Sequence, residues 1–557
     1  MIQKIIFNKI NIVVILCGVF VFLGSSFILN TSQTYDEAVH LTTGYSYLTF
    51  GKAPNKEDDH PPLFKKLAAI PLLFMDISLP GSTDKSMYNL GYEFLYTNNV
   101  SAGVMLNSGR FIMLFCGLIL GICVFLWSKE LYGFGPGVFS LFIYVLYPGI
   151  IAHSSLVTTD LGIVLGYFVS IYCLYRCMQK PGFLSILVLG LTAGIALMAK
   201  FSGILILPVM GLILLYGLAA KKISAAPAAA VKYGAIFLSG LLCIIILSYG
   251  ITQVPLYFSG FMKLSRMMNS GGRISYLCGK FAAGGWKYFF TAVFLLKTPA
   301  VFILLLVFIT GSSLKRMVKN KISLNNELLF LVFPALVFFF TATFSKFQIG
   351  HRHILPIYPF LMVWMGSVFH IVKRKKLLQK LLIVFAVIYS IDCLHVYPYS
   401  ISYITVLTGG SKNGYKYLID SNVDWGHGLK ALGAYLKKQG VKNIYLSYFG
   451  TADPHYYGIG YLPVGFFSDV THEIIPVDIS AEKRRLIAIS VTNLQAAYYT
   501  DKTIFKHFRG ITPQARIADS IFVYDLDADR NTNRYLQELF KQSGNTYLQY
   551  MQDKIID

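Results

Sequence analysis

Eleven runs of mostly apolar residues, near 11–29, 108–127, 136–152, 158–177, 183–199, 203–219, 233–251, 292–310, 328–344, 354–372 and 378–396, constrain this sequence more than anything else in it. Each is close to the roughly 20 residues that a helix needs to cross the hydrocarbon core of a bilayer. A helix satisfies its own backbone hydrogen bonds there, which an open strand or loop cannot do. The chain is therefore read as a polytopic α-helical membrane protein with about 11 transmembrane helices. Only 14% of its residues are charged, against about 25% in soluble domains. The first run follows Lys4 and Lys9 as a signal peptide's apolar region would, but it is long for one and no small-residue cleavage site comes after it. It reads as a retained first helix.

The formal charge of +22 comes from 49 Lys and Arg against 27 Asp and Glu, a balance that in a soluble protein points to nucleic acid. Its placement excludes that as the main cause. From Ser400 onward there are 17 basic and 15 acidic residues, which leaves 32 against 12 in the membrane part. Lys4/Lys9, Lys129, Arg176/Lys180, Lys221/Lys222/Lys232, Lys315/Arg316/Lys319/Lys321 and Lys373 to Lys376 fall in alternate short loops, which marks those loops as cytoplasmic. The N-terminus is then inside, and 30–107, 252–291 and 399–557 are outside. The chain thus divides into a transmembrane module, 1–398, and an extracytoplasmic C-terminal domain, 399–557. The eight cysteines sit in or beside apolar runs and imply neither a disulfide framework nor a zinc module.

In the first outer loop, Asp36 to Phe50 and Pro61 to Met75 mix apolar and polar residues and are too short or too polar to span, so both are expected to lie along the membrane surface. The second, from Gln253 to Lys297, carries Lys263, Arg266, Arg273, Lys280, Lys287 and Lys297 and no acid, which invites an anionic partner. The tail alternates helix-like stretches (Gly428 to Gln439, Tyr535 to Gln542) with strand-like ones (Asn443 to Phe449, Arg485 to Val491, Ser520 to Asp525), as a small α/β or α+β domain does.

Eight of the twelve acids of the membrane part lie between Asp36 and Glu93. Asp36-Glu37 with His40 and Glu57-Asp58-Asp59-His60 are the two clusters. A carboxylate at the membrane boundary can act as general base on an acceptor hydroxyl within hydrogen-bond reach. Capping of a surface helix is the commoner use of such acids. Each cluster contains Glu-x-x-His, but the two further inward Glu residues of a bundle di-metal site are missing. A single divalent ion remains compatible, with Asp59 and His60 as candidate ligands. Asp160, entering the fourth span, is either a functional intramembrane acid or a helix-start acid, with equal weight. The run from Gln348 to Pro356 places His351 and His353 around Arg352, a compact donor set for phosphate oxygens. Arg110, Lys200, His60 and Lys65 fit the same use, although Lys200 is also placed to snorkel. No Walker A or Rossmann glycine pattern is present, so a soluble nucleotide donor is not indicated, and the outer acids with bases near them suggest a lipid-linked sugar phosphate instead.

Tyr35-Asp36-Glu37 and Asp59-His60-Pro61-Pro62-Leu63 resemble the first-loop pattern of the dolichyl-phosphate-mannose protein mannosyltransferase superfamily, the polyprenyl-phosphate-dependent GT-C glycosyltransferases. Gly285 to Phe290 with Lys297-Thr298-Pro299, Gly350 to His353 with Leu355-Pro356, and Asp420 to Trp425 with Tyr448-Phe449-Gly450 look like motifs of its bacterial family 39 branch. The resemblance reaches to about Gly458 and implies inverting transfer of a sugar from a polyprenyl monophosphate to an acceptor hydroxyl of a glycan, lipid or protein, at the outer face of a bacterial inner membrane. Asp36 takes the position of the catalytic carboxylate, Glu37 would hold acceptor or orient Asp36, and Asp160 matches the second acidic position. Asp59 and His60 fall where some relatives contact a metal ion or the donor phosphate, and Arg110, Lys200, His351 and Arg352 are candidates to stabilise the leaving phosphate. Lys287 and His427 depart from the pattern, and the tail does not resemble the β-trefoil insert of eukaryotic protein mannosyltransferases. A flippase for lipid-linked saccharides and a glycan polymerase or ligase are the alternatives. Asp160 and Asp392 fall toward the outer ends of their spans, whereas transporters concentrate such groups near the midplane.

Overall fold

The computed structural model describes residues 9–54, 60–81, 85–221, 227–269, 274–320, 327–373, 375–465, 469–470, 475, 477–528 and 531–536. Seven of its helices are long and apolar enough to cross a membrane: Lys9–Asn30, Ala102–Tyr132, Asp160–Gln179, Phe201–Ala219, Pro227–Gln253, His351–Val372 and Lys376–Leu394. Two bent pairs, Phe134–Leu146 with Pro148–Ser154 (67°) and Phe289–Lys297 with Ala300–Arg316 (112°), raise that number to nine. Phe183–Ala199 and Leu328–Thr343 are shorter apolar helices. These segments occupy all eleven apolar runs, and the chain is a polytopic helical membrane protein. Both bends have a local cause: Pro148 and Pro299 sit at the breaks, where proline removes an N–H and disfavours a helical residue before it.

In the first loop, Glu37–Phe50 is enclosed by protein, its residues from Glu37 to Tyr47 all being buried. It packs against Leu63–Ala69, Met87–Tyr96 and Ala102–Tyr132. Gly44 permits the crossing with Leu63–Ala69, since a Cβ there would lie 2.0 Å from the Lys65 carbonyl oxygen. Its polar residues are satisfied inside the bundle rather than by water, as when Thr42 Oγ1 donates to the Ala38 carbonyl at 2.7 Å. Leu63–Ala69, continued by the 3-10 turn Ile70–Phe74, is partly buried, with Ile70, Leu73 and Phe74 exposed.

Two sheets are present among the described residues. A hairpin in the second loop pairs β1 (Ile274–Leu277) with β2 (Lys280–Ala283). The tail forms a mixed sheet of β3 (Asn443–Ser447), β4 (Gly460–Pro463), β5 (Leu486–Ser490), β6 (Ala515–Ile517) and β7 (Ile521–Asp525), in the order β4-β3-β5-β7-β6. β3 runs parallel to β4 and β5, and β7 runs antiparallel to β5 and β6. Leu429–Gln439 packs on it through Leu429, Leu432 and Leu436. The expected helix and three strands of the tail are thus found, with Tyr535–Gln542 only partly within the described residues.

Residues 400–427 fold back into the helix ends as a series of 3-10 turns. The backbone N–H groups of Ser32 and Tyr35 donate to the carbonyls of His427 (3.0 Å) and Trp425 (3.1 Å). Lys297, expected on an exposed basic surface, is instead buried and donates to the carbonyls of Ile401, Tyr403 and Asn422 at 2.7, 2.7 and 2.5 Å. Three converging carbonyls are a strong local acceptor set for a single ammonium. Lys297→Leu should therefore lower the melting temperature of the detergent-solubilised protein and speed proteolysis of 400–427, each orphaned buried carbonyl costing about 1–3 kcal/mol.

Candidate active site

Asp36 precedes the helix Glu37–Phe50, yet its side chain makes no capping hydrogen bond. The carboxylate turns instead toward Arg352, whose Nη1 donates to Oδ2 at 3.0 Å. The same Nη1 lies 3.5 Å from Asp160 Oδ2, and Lys200 Nζ donates to Asp160 Oδ1 at 2.7 Å. Asp36, Arg352, Asp160 and Lys200 thus alternate in sign along one chain of contacts, drawn from four separate elements. Side-chain exposure decides their roles: it is 21% for Asp36, 12% for Arg352, 11% for Lys200 and 1% for Asp160. Asp36 is the carboxylate of the pair that a second substrate can reach, and Asp160 is enclosed behind its two cations.

Arg352 is held from the tail side. Its guanidinium lies 4.4 Å from the centre of the buried Trp425 ring, a cation–π contact that also shields it from water. Asn422 Oδ1 accepts from the His351 N–H at 2.8 Å, and Ser421 Oγ donates to the Ile349 carbonyl at 3.0 Å. The segments Gly350–His353 and Asp420–Trp425 therefore brace one another, although some 70 residues separate them.

Residues 101–249 match the family model described as dolichyl-phosphate-mannose-protein mannosyltransferase. No curated protein matches the chain in sequence. Among solved structures it is similar to ArnT from Cupriavidus metallidurans in the apo state, at 13% identity and a TM-score of 0.47 over 92% of this chain and 97% of that one. The same protein bound to undecaprenyl phosphate gives 13% and 0.46 over the same shares. The apo oligosaccharyltransferase of Archaeoglobus fulgidus gives 10% and 0.47 over 78% and 58%. The residues matched by the family model hold Arg110, Asp160 and Lys200, while Asp36 and Arg352 lie outside them.

Several of the residues singled out in the sequence lie elsewhere than expected. Glu37 and Arg110 form a pair with no exposure at all, Arg110 Nε and Nη2 donating to Oε1 and Oε2 at 2.8 and 2.5 Å. The Glu37 carboxylate also accepts from the backbone N–H groups of Thr34 (2.8 Å) and Val157 (2.9 Å). Arg110 further donates to the Ser32 carbonyl at 2.8 Å and lies 3.3 Å from those of Ile28 and Thr31. Every polar atom of the pair is committed to joining the first loop, the end of the helix Lys9–Asn30 and the turn before Asp160, so Arg110 is not set to receive a phosphate and Glu37 is not set to hold an acceptor. His351 is likewise committed, its Nε2 lying between the hydroxyls of Tyr147 (3.0 Å) and Tyr358 (2.9 Å). Lys65 is buried on Leu63–Ala69. His353 Nε2 is buried with no hydrogen-bond partner, one residue from Arg352. His60 stands beside the rings of His40 (6.3 Å) and Phe201 (6.1 Å), and Asp59 lies outside the described residues. Among the described residues no three His, Cys, Asp or Glu side chains come together as a metal set.

Trp425 is the site residue that the sequence reading passed over; its signal was the position at the end of Asp420-Ser-Asn-Val-Asp-Trp425. Beside it, burial pushes the Asp424 carboxyl up to about 7, against the N–H groups of Thr492 and Gly426 that its oxygens accept at 3.1 and 3.4 Å. His427, next along, is held down to about 3 by burial and by the charges of Lys297 and Arg110. The folded state thus binds the Asp424 proton more tightly than the unfolded chain, whose carboxyl titrates near 3.9, and this group's contribution to stability falls as pH rises from about 4 to about 7. Asp424→Asn should raise the melting temperature at pH 8 relative to pH 5, measured against wild type in the same detergent. An unchanged difference between the two pH values would show that Asp424 is ionised in the fold.

Proposed function

We propose that this chain is a GT-C glycosyltransferase that moves a sugar from a polyprenyl monophosphate to an acceptor hydroxyl, with inversion, at the extracytoplasmic face of a bacterial inner membrane. The N-terminus is then cytoplasmic, and residues 1–398 act as the catalytic module under an extracytoplasmic tail, 399–557. One observation carries the reading: a partly open carboxylate free of capping duty, Asp36, stands in contact with a cation that is itself braced on Trp425. In the proposed reaction Asp36 accepts the proton of the acceptor hydroxyl. The acceptor oxygen attacks the anomeric carbon from the face opposite the phosphate, the bond from that carbon to the phosphate oxygen breaks, and its electron pair leaves with the polyprenyl phosphate. Arg352 and Lys200 are placed to stabilise the negative charge that grows on the phosphate, as preorganised cations in a water-poor site do. Asp160 fixes the two cations rather than reacting.

The test is purified protein in nanodiscs with a radiolabelled polyprenyl-phosphate sugar and a panel of hydroxyl-bearing glycans, lipids and peptides. Consumption of the donor with label appearing on one acceptor class, and an inverted anomeric signal by NMR, is the expected result. Movement of intact donor across vesicles without consumption would replace the reading by a flippase.

A further inference from the structure

Arg352 spends one nitrogen on two carboxylates. Its Nη1 is 3.0 Å from Asp36 Oδ2 and 3.5 Å from Asp160 Oδ2. Asp160 has a second and closer cation in Lys200, at 2.7 Å. The ion pair found at Asp36 among the described residues is the one with Arg352. Asp36 and Asp160 are the carboxylates that Arg352 contacts, with Asp420 acting on it from further away, and the base that the reaction needs is masked by a hydrogen bond.

The mask is built to turn. A guanidinium carries five N–H donors, and Arg352 Nε is buried with no hydrogen-bond partner. Its flat face rests on Trp425 at 4.4 Å, a contact that holds the cation without fixing where its N–H groups point. An arriving phosphate competes with Asp36 for those donors, and guanidinium meets phosphate in two-point geometry better than it meets one carboxylate oxygen.

We propose that Arg352 is a latch on Asp36 that the donor's phosphate opens, with Trp425 as the positioning residue on which the guanidinium turns. This rests on the sugar-transfer reading above. Asp36 becomes free to accept a proton only once the donor is seated, so the donor binds before an acceptor can be activated. A braced tail segment thereby sets the order of the reaction without touching the sugar.

The experiment is binding of polyprenyl phosphate to the full chain in nanodiscs, for wild type, Asp36→Asn, Arg352→Gln and the double variant, with folding checked by melting temperature. If Asp36 and the phosphate compete for Arg352, Asp36→Asn binds the lipid about tenfold tighter, a coupling of the size seen for groups in direct contact. That gain disappears when Arg352→Gln is present. A gain that survives in the Arg352→Gln background is a general effect of the lost negative charge and overturns the latch, as does the absence of any gain. Should Arg352→Gln not fold, Arg352→Lys serves: it keeps the charge without the planar fork, and the gain from Asp36→Asn should shrink at least threefold, an undiminished gain overturning the proposal. Trp425→Leu should shrink it likewise. Wild-type protein with no saturable binding of polyprenyl phosphate would overturn the sugar-transfer reading itself, whereas normal wild-type binding without the Asp36→Asn gain overturns the latch alone.

Discussion

Asp36→Asn is expected to reduce sugar transfer about 10²–10⁴-fold, the usual contribution of a positioned general base, while membrane insertion and melting temperature stay near those of wild type. The structural grounds for that separation are specific. The side chain caps no helix and is partly open to solvent, so the fold does not depend on its charge. What the substitution removes is the capacity to take a proton. Asp36→Glu keeps that capacity but lengthens the side chain by one methylene at a site contacting Arg352 at 3.0 Å, so it should recover only part of the rate. Transfer at wild-type rate by Asp36→Asn, in protein shown to be inserted and folded, would place the base elsewhere.

The spans were legible because the bilayer imposes one length and one composition on every crossing segment, and each of the eleven runs carries an apolar helix or bent pair. Asp36 stood out in the sequence as an acid where hydrocarbon meets water. Its partner was not, because nothing local in Gly350-His351-Arg352-His353 says which of three adjacent cationic side chains faces outward. The structure divides them: His351 is consumed by two tyrosine hydroxyls, Arg352 reaches the acids, and His353 keeps a buried unpartnered nitrogen. The enclosure of Glu37–Phe50 by protein was hidden for a related reason: its many polar residues suggest contact with water, whereas hydroxyls such as those of Thr42 and Thr49 bond to the preceding turn of their own helix. The strands Gly460–Pro463 and Ala515–Ile517 are four and three residues long, too short for an alternation to stand out. Charge was the most misleading signal at Arg110 and Lys297, where a count of cations on an outer surface included two that are buried and whose polar atoms are spent on carbonyls and one carboxylate.

Glu37→Gln or Arg110→Met should have the opposite signature to Asp36→Asn, costing the fold and sparing the chemistry of whatever protein remains folded. Removing one member of a buried ion pair leaves an uncompensated charge and costs about 3–5 kcal/mol. Here the surrounding backbone adds to the loss, since Glu37 serves the N–H groups of Thr34 and Val157 and Arg110 serves the Ser32 carbonyl. The measurable result is a large fall in melting temperature and in the yield of inserted protein. Turnover per folded molecule should stay within about tenfold of wild type, less than the loss of a general base causes. The double variant Glu37→Gln with Arg110→Met should cost clearly less than the two single losses added together, because the second change removes the charge that the first left unpaired. Strict additivity would mean that the two side chains act independently, against their 2.5 and 2.8 Å contacts. Two neighbouring acids would then be separated by experiment, one whose loss is read in rate and one whose loss is read in stability, and the difference follows from a single turn of chain that aims Asp36 at Arg352 and Glu37 at Arg110.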